Sequence, residues 1–492
     1  MSLDVNLEIA KAFNVSPDEA WKIKNMALES WPRNLDDVRR LFPQILEEDE
    51  NVKLIILALF SLKLRNPEER VMGIIIESNN SAGKSHFAKS ILKPLRPLRN
   101  GEMVLEFTRM TGAYLERKFK DVDLDRRILF IQETRDAPSQ LHLSLSEGKL
   151  RVGLLVKNNG DFQPIEIEAI GQPFLVATTT NWSGSPDLIH RCILMGLDES
   201  AEQTFRITGF QAKYNSDFIF KEGFTRFVEG CAKLFKKLWE NAPENVDVVI
   251  PYLPLIEEKL RVKNPNPDIK LRRDFNKLIA LIKASAIIFH KHRRTIKLNG
   301  KKIIIADLKD FEEILPLFKT SLKQTLANLS DKEEKILNAL KEEGGFSNYN
   351  DLAKITGIPS STIRHHIVPR LEAKGCVIVD KDTRPHRIEI VKEPEDVEII
   401  IEEATARKMI EEATQKLLSF GGQMTNREIS EETALIPENK PMELATLEAA
   451  KSLAVFFEEK GGKGLDCDWP NGQKKKCDAQ ICRSSMHLDS AI

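Results

Sequence analysis

The sequence predicts an α/β fold: a P-loop sheet, a helical region after it, and then a winged helix-turn-helix. Three features predict it. They are a strand–loop–helix signature at Val71–His86, apolar β-type runs alternating with helical patterns over residues 71–200, and a helix–helix–turn–helix–hairpin pattern over Ser330–Val391. The 492 residues, 41% hydrophobic and 30% charged, suit a globular chain. That length holds roughly three domains, each with a core of its own. Lys+Arg 73 against Asp+Glu 74 gives a net charge of −1, so nucleic acid must be met by local basic patches rather than by a global field. The six cysteines, Cys192, Cys231, Cys376, Cys467, Cys477 and Cys482, show no dense pairing of the secreted disulfide type. No signal peptide and no apolar run near the ~18 residues of a membrane span is visible, so a soluble cytoplasmic protein without a membrane partner is expected.

Residues 1–48 read as helical, with Ser16 as N-cap and Pro17 in the first turn. Val52–Leu64 is a strongly apolar helix suited to packing under the sheet. In VMGIIIESNNSAGKSH, the run Met72 to Ile76 is a buried strand and Gly83-Lys84-Ser85 opens a helix. This is the phosphate-cradling P-loop order, in which backbone N–H groups and the helix N-terminus surround phosphate oxygens. Ser78, Asn79, Asn80, Ser81, Ala82, Gly83, Lys84, Ser85 and His86 are therefore the candidate nucleotide-binding residues. Lys84 is placed to reach the β/γ-phosphates and the Ser85 hydroxyl to ligate Mg²⁺. The usual first glycine is replaced by Ser78, which is small enough to keep the loop tight.

A strand at Met103–Phe107 and a helix near Thr111–Lys120 follow, then RILFIQE at Arg127–Glu133. A buried strand ending in an acid at the carboxyl edge of a parallel sheet is the Walker B pattern. Glu133 could orient and deprotonate an attacking water. The position before it, normally the Mg²⁺-associated Asp, is Gln132, and Asp136 is a weaker substitute. Lys149–Ile170 reads as a β-hairpin turning at Asn159-Gly160, with Lys157 close to the tip. FLVATTTN at Phe174–Asn181 is a further buried strand whose Thr180 and Asn181 could touch a γ-phosphate or cap the next turn. Arg191 could complete a neighbouring subunit's site or be a surface arginine.

Residues 201–330 look mainly helical, with helical spacing over Lys270–Arg294, a short hairpin at Asn299-Gly300 and a helix to about Leu329. In the winged helix, Asp331–Lys341 and Tyr349–Thr356 are the first two helices and the third runs through Lys374, with Pro369 expected to kink it. That helix would present Arg364, His365 and His366 to a major groove, and Arg384 and Arg387 on the wing could meet phosphates. A protein–protein module is the other use of such a domain. Residues 395–460 read as charged and helical. The tail carries Cys467, Cys477, Cys482 and His487, which could hold Zn²⁺ tetrahedrally or belong to a basic tail without metal. The expected divisions are 1–48, 49–205 (P-loop core), 206–329 (helical lid), 330–392 (winged helix), 393–460 and 461–492.

The ordered set IIIESNNSAGKSH, EFTRMTGAYLE, ILFIQE, SLSEGKLRVGLLVK, FLVATTTN, LIHRCILMGLDES and RRDFNKLIALIKASAIIFHKHR resembles the AAA+ ATPase domain of phage- and plasmid-type primase-helicases. These are relatives of superfamily 3 and of the archaeal replicative helicases. The resemblance covers about residues 50–330, and the winged helix after it also fits. It implies an AAA+ core in a hexameric ring with ATP between subunits, Lys84 and Ser85 on phosphate and Mg²⁺, and Glu133 as general base. It further implies Asn181 as sensor 1, Arg191 as arginine finger, and Arg272 or Arg273 as sensor 2. The hairpin around Lys157 would line the channel and push on single-stranded DNA through its backbone. Ser78 and Gln132 depart from the pattern, and no zinc-binding primase module precedes residue 50. Primer synthesis is therefore not expected of this chain, and a separate primase or polymerase is the expected partner. The activity implied is ATP-dependent DNA unwinding in the replication of a mobile element or virus. A DNA-binding initiator or regulator with a degenerate nucleotide site is the second hypothesis, and a packaging or remodelling motor the third.

Overall fold

The computed structural model describes residues 31–110, 123–132, 148–158, 161–180, 191–263, 269–326, 331–373, 376–380, 383–391, 399–425, 466–468 and 474–476. The expected helices at Ser16 and Thr111–Lys120, and most of the charged region 395–460, lie outside these residues. Two compact units emerge, one within Met1–Val249, Ala280–Asp307 and Thr414–Ile492, the other within Ile250–Ile279 and Leu308–Ala413.

In the first unit the strands are β1 (Gly73–Glu77), β2 (Val104–Phe107), β3 (Ile128–Ile131), β4 (Lys149–Asn158), β5 (Asp161–Ile170), β6 (Phe174–Thr179) and β7 (Ile193–Met195). Five of them form one parallel sheet in the order β2-β3-β6-β1-β7. All positions of β3 and β6, and all of β1 except Glu77, are buried or nearly so. Unbroken runs of Ile, Leu, Val and Phe are what strands covered on both faces require. Because the strands are parallel, the loop after β1 and the residues after β3 and β6 share one edge. This is a parallel α/β core with a P-loop after its first strand, and a winged helix-turn-helix follows it.

Helix α1 (Leu35–Arg39) is capped by the Asn34 side chain, which accepts from the Asp37 N–H. It is the one helix among the described residues before position 48, where a longer helical stretch is expected. Pro43 has no N–H to continue the ladder, and turns take its place. Helix α2 (Asp49–Phe60) is buried from Leu54 through Phe60. It ends four residues short of Leu64, where Ser61–Lys63 form a 3₁₀ turn. There the Ser61 hydroxyl donates to the Ala58 carbonyl (2.6 Å) and accepts from the Val71 N–H (3.0 Å). Helix α3 (Lys84–Leu92) follows the loop after β1, and α4 (Ala201–Ser216) and α5 (Phe218–Asn241) follow β7.

The hairpin is as expected. β4 and β5 pair antiparallel from Lys149 opposite Ile170 to Asn158 opposite Asp161, which leaves two positions for the turn. Ten residues at about 3.4 Å each make an arm roughly 34 Å long. Its base is tied next to β3 by the Leu124 N–H on the Ile170 carbonyl (2.6 Å).

A second sheet was not legible beyond its hairpin. β8 (Asp247–Val249), β9 (Thr295–Leu298) and β10 (Lys301–Ile305) join the two-residue strand Gln423–Met424 in the order Gln423–Met424, β9, β10, β8. β9 and β10 are joined by Asn299 (φ 50°) and Gly300 (φ 76°), the left-handed pair of a type I′ turn.

In the second unit, α6 (Leu253–Lys263) and α8 (Leu308–Leu326) precede the winged helix; α7 (Lys270–Ile288) lies between them in sequence. The winged helix comprises α9 (Asp331–Glu342), β11 (Phe346–Asn348), α10 (Tyr349–Thr356), a third helix from Ser360 to Ala373, β12 (Val377–Asp380) and β13 (Arg387–Ile390). Its core joins Ile336, Leu340, Leu352, Ile363, Leu371 and Ile388. The wing has three strands in the order β11-β13-β12, one more than the two-stranded expectation. Around Pro369 the third helix takes a wider turn. Ile363–Ile367 form a π-turn directly before the α-helical Val368–Ala373. Widening this turn removes the clash that Pro369 would make with the carbonyl four residues back.

Candidate nucleotide-binding site

The loop between β1 and α3 has the conformation its small residues allow. Ser81 (φ 69°) and Gly83 (φ 84°) are both left-handed, the serine being the costlier of the two. They line a cavity of about 380 Å³ together with Asn80, Lys84, Ser85, His86, Thr179 and Thr180. The cavity thus sits at the carboxyl edge of the sheet, at the N-terminus of α3, where backbone N–H groups favour an anion. The buried Lys84 ammonium donates to the carbonyls of Ser78 (2.7 Å) and Asn79 (2.6 Å). It is held inside the loop within reach of whatever the loop cradles.

The missing first glycine has a structural replacement. Ser78 is buried, and its hydroxyl accepts from the Leu197 N–H just after β7 at 2.8 Å. Asn79 is fastened from the same segment, its N–H (2.5 Å) and side-chain amide both donating to the Glu199 carboxylate. His86 donates to the Gln44 carbonyl (3.4 Å). None of these partners is visible in the local motif.

Gln132 follows β3 directly, its N–H on the Phe107 carbonyl (2.9 Å). Its side-chain amide donates to Glu106 Oε1 at 2.5 Å. Glu106, on β2, is also paired with Arg96 and with Lys89 of α3 (3.6 Å). The acid missing from the Walker B position thus has a carboxylate neighbour on the adjacent strand. Ser85, Thr179 and Thr180 on the cavity wall, and Gln132 at the end of β3, offer oxygen donors, the donor type that suits Mg²⁺.

Glu133, Asp136 and Asn181 lie outside the described residues. So do the turn of the hairpin and the side chain of Lys157, although its strand is described. Arg191 is half-buried just before β7, and its Nε has no hydrogen-bond partner among the described residues. Arg272 and Arg273 are exposed on the first turn of α7, in the second unit. Three of the four tail ligands, Cys477, Cys482 and His487, fall outside the described residues, so the zinc reading gains no support. Among the described residues no cluster of three His, Cys, Asp or Glu could hold a metal.

The third helix of the winged domain exposes Arg364, His365 and His366 while burying Ile363 and Ile367. Arg384 and Arg387 are exposed on the wing. Arg387 lies over the half-exposed Phe346 ring (3.7 Å) and Arg364 near the Tyr349 ring (5.8 Å), contacts that order the guanidinium planes. No described helix is long and apolar enough to cross a membrane.

A family model described as winged helix-turn-helix DNA-binding matches residues 329–378. No curated protein matches the chain. Among solved structures it is similar to a RuvB point mutant of Thermotoga maritima, at 15% identity over 74% of this chain and 96% of that one, with a TM-score of 0.22. It is also similar to a full-length MCM homolog from Methanopyrus kandleri, at 12% identity over 63% of this chain and 62% of that one, with a TM-score of 0.37.

Proposed function

We propose that the chain is an ATP-dependent motor acting on DNA, a helicase or translocase that works as a homo-hexameric ring in the replication of a mobile element or virus. The observation that carries this reading is the P-loop cavity of Ser81, Gly83, Lys84 and Ser85 at a parallel sheet's carboxyl edge, in one chain with a winged helix exposing Arg364, His365 and His366. Lys84 stabilises charge on the β/γ-phosphates, and Ser85 and Gln132 would hold Mg²⁺. Bound Mg²⁺ would neutralise charge on the phosphates. Glu133 orients and deprotonates the attacking water, Asn181 senses the γ-phosphate, and Arg191 acts on a neighbour's nucleotide. Arg272 or Arg273 is the sensor 2 candidate. The β4–β5 arm carries Lys157 to single-stranded DNA, while Arg364, His365, Arg384 and Arg387 meet duplex DNA. A separate primase or polymerase is the proposed partner, and the cytoplasm the proposed location.

The test is strand separation by the purified full chain in ATP and Mg²⁺, on a sample of determined oligomeric state. Unwinding that is lost in Lys84→Ala is expected; a nucleotide-binding oligomer that never separates strands refutes the helicase. One observation favours a second reading. At the Walker B position stands an amide already engaged by Glu106, which would suit an initiator or regulator with slow turnover. That reading requires sequence-specific duplex binding that persists in Glu133→Gln.

A further inference from the structure

We infer that Glu106 is a positioning residue for the nucleotide site, fixing the Gln132 amide so that its carbonyl oxygen does the work of the missing Walker B acid. The inference rests on the nucleotide-site reading above.

A carboxylate only accepts, so the amide edge that meets Glu106 Oε1 at 2.5 Å is the NH₂ edge. Gln132 Oε1 is thereby turned away from β2. On that other side lie β6 and then β1, which leads into the P-loop. Ile131 is paired with Ala177, so Gln132 stands alongside Thr178, one residue before the Thr179 that lines the cavity. Glu106 is itself fixed by Arg96 and by Lys89 (3.6 Å). Lys89 lies four residues after Ser85 on α3, on the same helix face. One carboxylate therefore ties the Ser85 face of α3 to the residue that ends β3. Left unfastened, an amide in this place could present its NH₂ edge to a cation's water shell, which repels it. Fastened through Glu106, it presents only the acceptor. Arg96 and Lys89 already engage the Glu106 carboxylate, so its role is orientation rather than metal ligation.

The arrangement makes an unusual demand on a consensus repair. Gln132→Glu with Glu106 in place replaces the hydrogen bond by a contact between two like-charged carboxylates. The exchange Glu106→Gln with Gln132→Glu restores the hydrogen bond in the opposite sense and leaves an acid at the Walker B position.

The experiment is binding of a fluorescent ATP analogue to the full chain, titrated with Mg²⁺ and repeated in EDTA. Glu106→Ala is expected to raise the Mg²⁺ concentration for half-maximal tightening about 10- to 100-fold, the usual cost of losing an orienting partner, with EDTA binding unchanged. Gln132→Glu alone should lose comparably, and the double exchange should recover wild-type Mg²⁺ dependence. Gln132→Glu alone matching or exceeding wild type would overturn the inference, as would a parallel loss in EDTA, which marks a purely structural pair. Analogue binding that is absent in wild type, or indifferent to Lys84→Ala, would instead overturn the nucleotide-site reading itself.

Discussion

Restoring the consensus glycine at position 78 should damage the protein. Ser78 is 7% exposed, and its hydroxyl accepts from the Leu197 N–H at 2.8 Å. Removing it leaves a partly buried N–H without its partner, at a cost of about 1–2 kcal/mol. Glycine adds about 0.5–1 kcal/mol by enlarging the unfolded chain's freedom. Ser78→Gly should therefore lose about 1.5–3 kcal/mol and Ser78→Ala only the first part of it. For a unit of this size that corresponds to roughly 2–4 °C in Tm for the glycine variant. Calorimetry of the P-loop unit's transition, run alongside fluorescent-ATP binding, separates loop stability from phosphate affinity. A glycine variant that melts at or above wild type would refute the reasoning, for it would mean that the Leu197 contact contributes nothing and Ser78 is a neutral replacement.

Three further outcomes follow from the structure. His290 is buried against the Trp31 ring (5.0 Å between centroids) and donates from Nδ1 to the Ile287 carbonyl (3.1 Å). Burial first, then the charge of Lys302 and the neighbouring Lys291 and His292, pushes its pKa down to about 4. Below the ordinary 6.5 the unfolded chain takes up a proton that the folded chain does not, so stability is present above 6.5 and falls as pH drops toward about 4, by up to about 3 kcal/mol. His290→Phe should flatten that loss in denaturation midpoints between pH 7 and 4, and an unchanged slope would contradict it. Gly73→Ala places a Cβ 2.5 Å from the Leu175 carbonyl oxygen in the neighbouring central strand. It should cost about 1–3 kcal/mol by overpacking, read as a lowered urea midpoint. Arg387→Ala should reduce the slope of log K against log salt for duplex binding by about 0.9 for one lost phosphate contact, without altering sequence preference. A changed preference at unchanged slope would place Arg387 on a base instead.

How much of this was legible depended on whether the signal was local. Ile74–Ile76, Ile128–Ile131 and Phe174–Thr179 announced a parallel sheet because strands covered on both faces need unbroken apolar runs. Gly83-Lys84-Ser85 located the cavity, and Asn299-Gly300 its hairpin, because each demands a backbone conformation that few residues adopt. Strands of two or three residues, such as Gln423–Met424, β8 and β11, are too short to carry a period, and all three were missed. The π-turn before Pro369 was foreseen only as a kink, since one proline does not say how a helix will relax around it. What the sequence concealed most completely were the partners of the site. Ser78 finds Leu197 119 residues away, and Gln132 finds Glu106 26 residues back on another strand. Lys63 was another such case. It is fully buried beneath the apolar helix, over Trp239 (4.7 Å) and bonded to Glu244 (2.8 Å), and burial draws its pKa down. A motif names the residues that touch a ligand. It does not name those that hold the motif.

The most direct test of the central claim is the steady-state ATPase rate of the full chain with and without single-stranded DNA, for wild type and Lys84→Ala. The account predicts Mg²⁺-dependent hydrolysis that rises with single-stranded DNA and is abolished in Lys84→Ala. Hydrolysis that neither responds to DNA nor depends on Lys84, or duplex binding with no turnover at all, would contradict it.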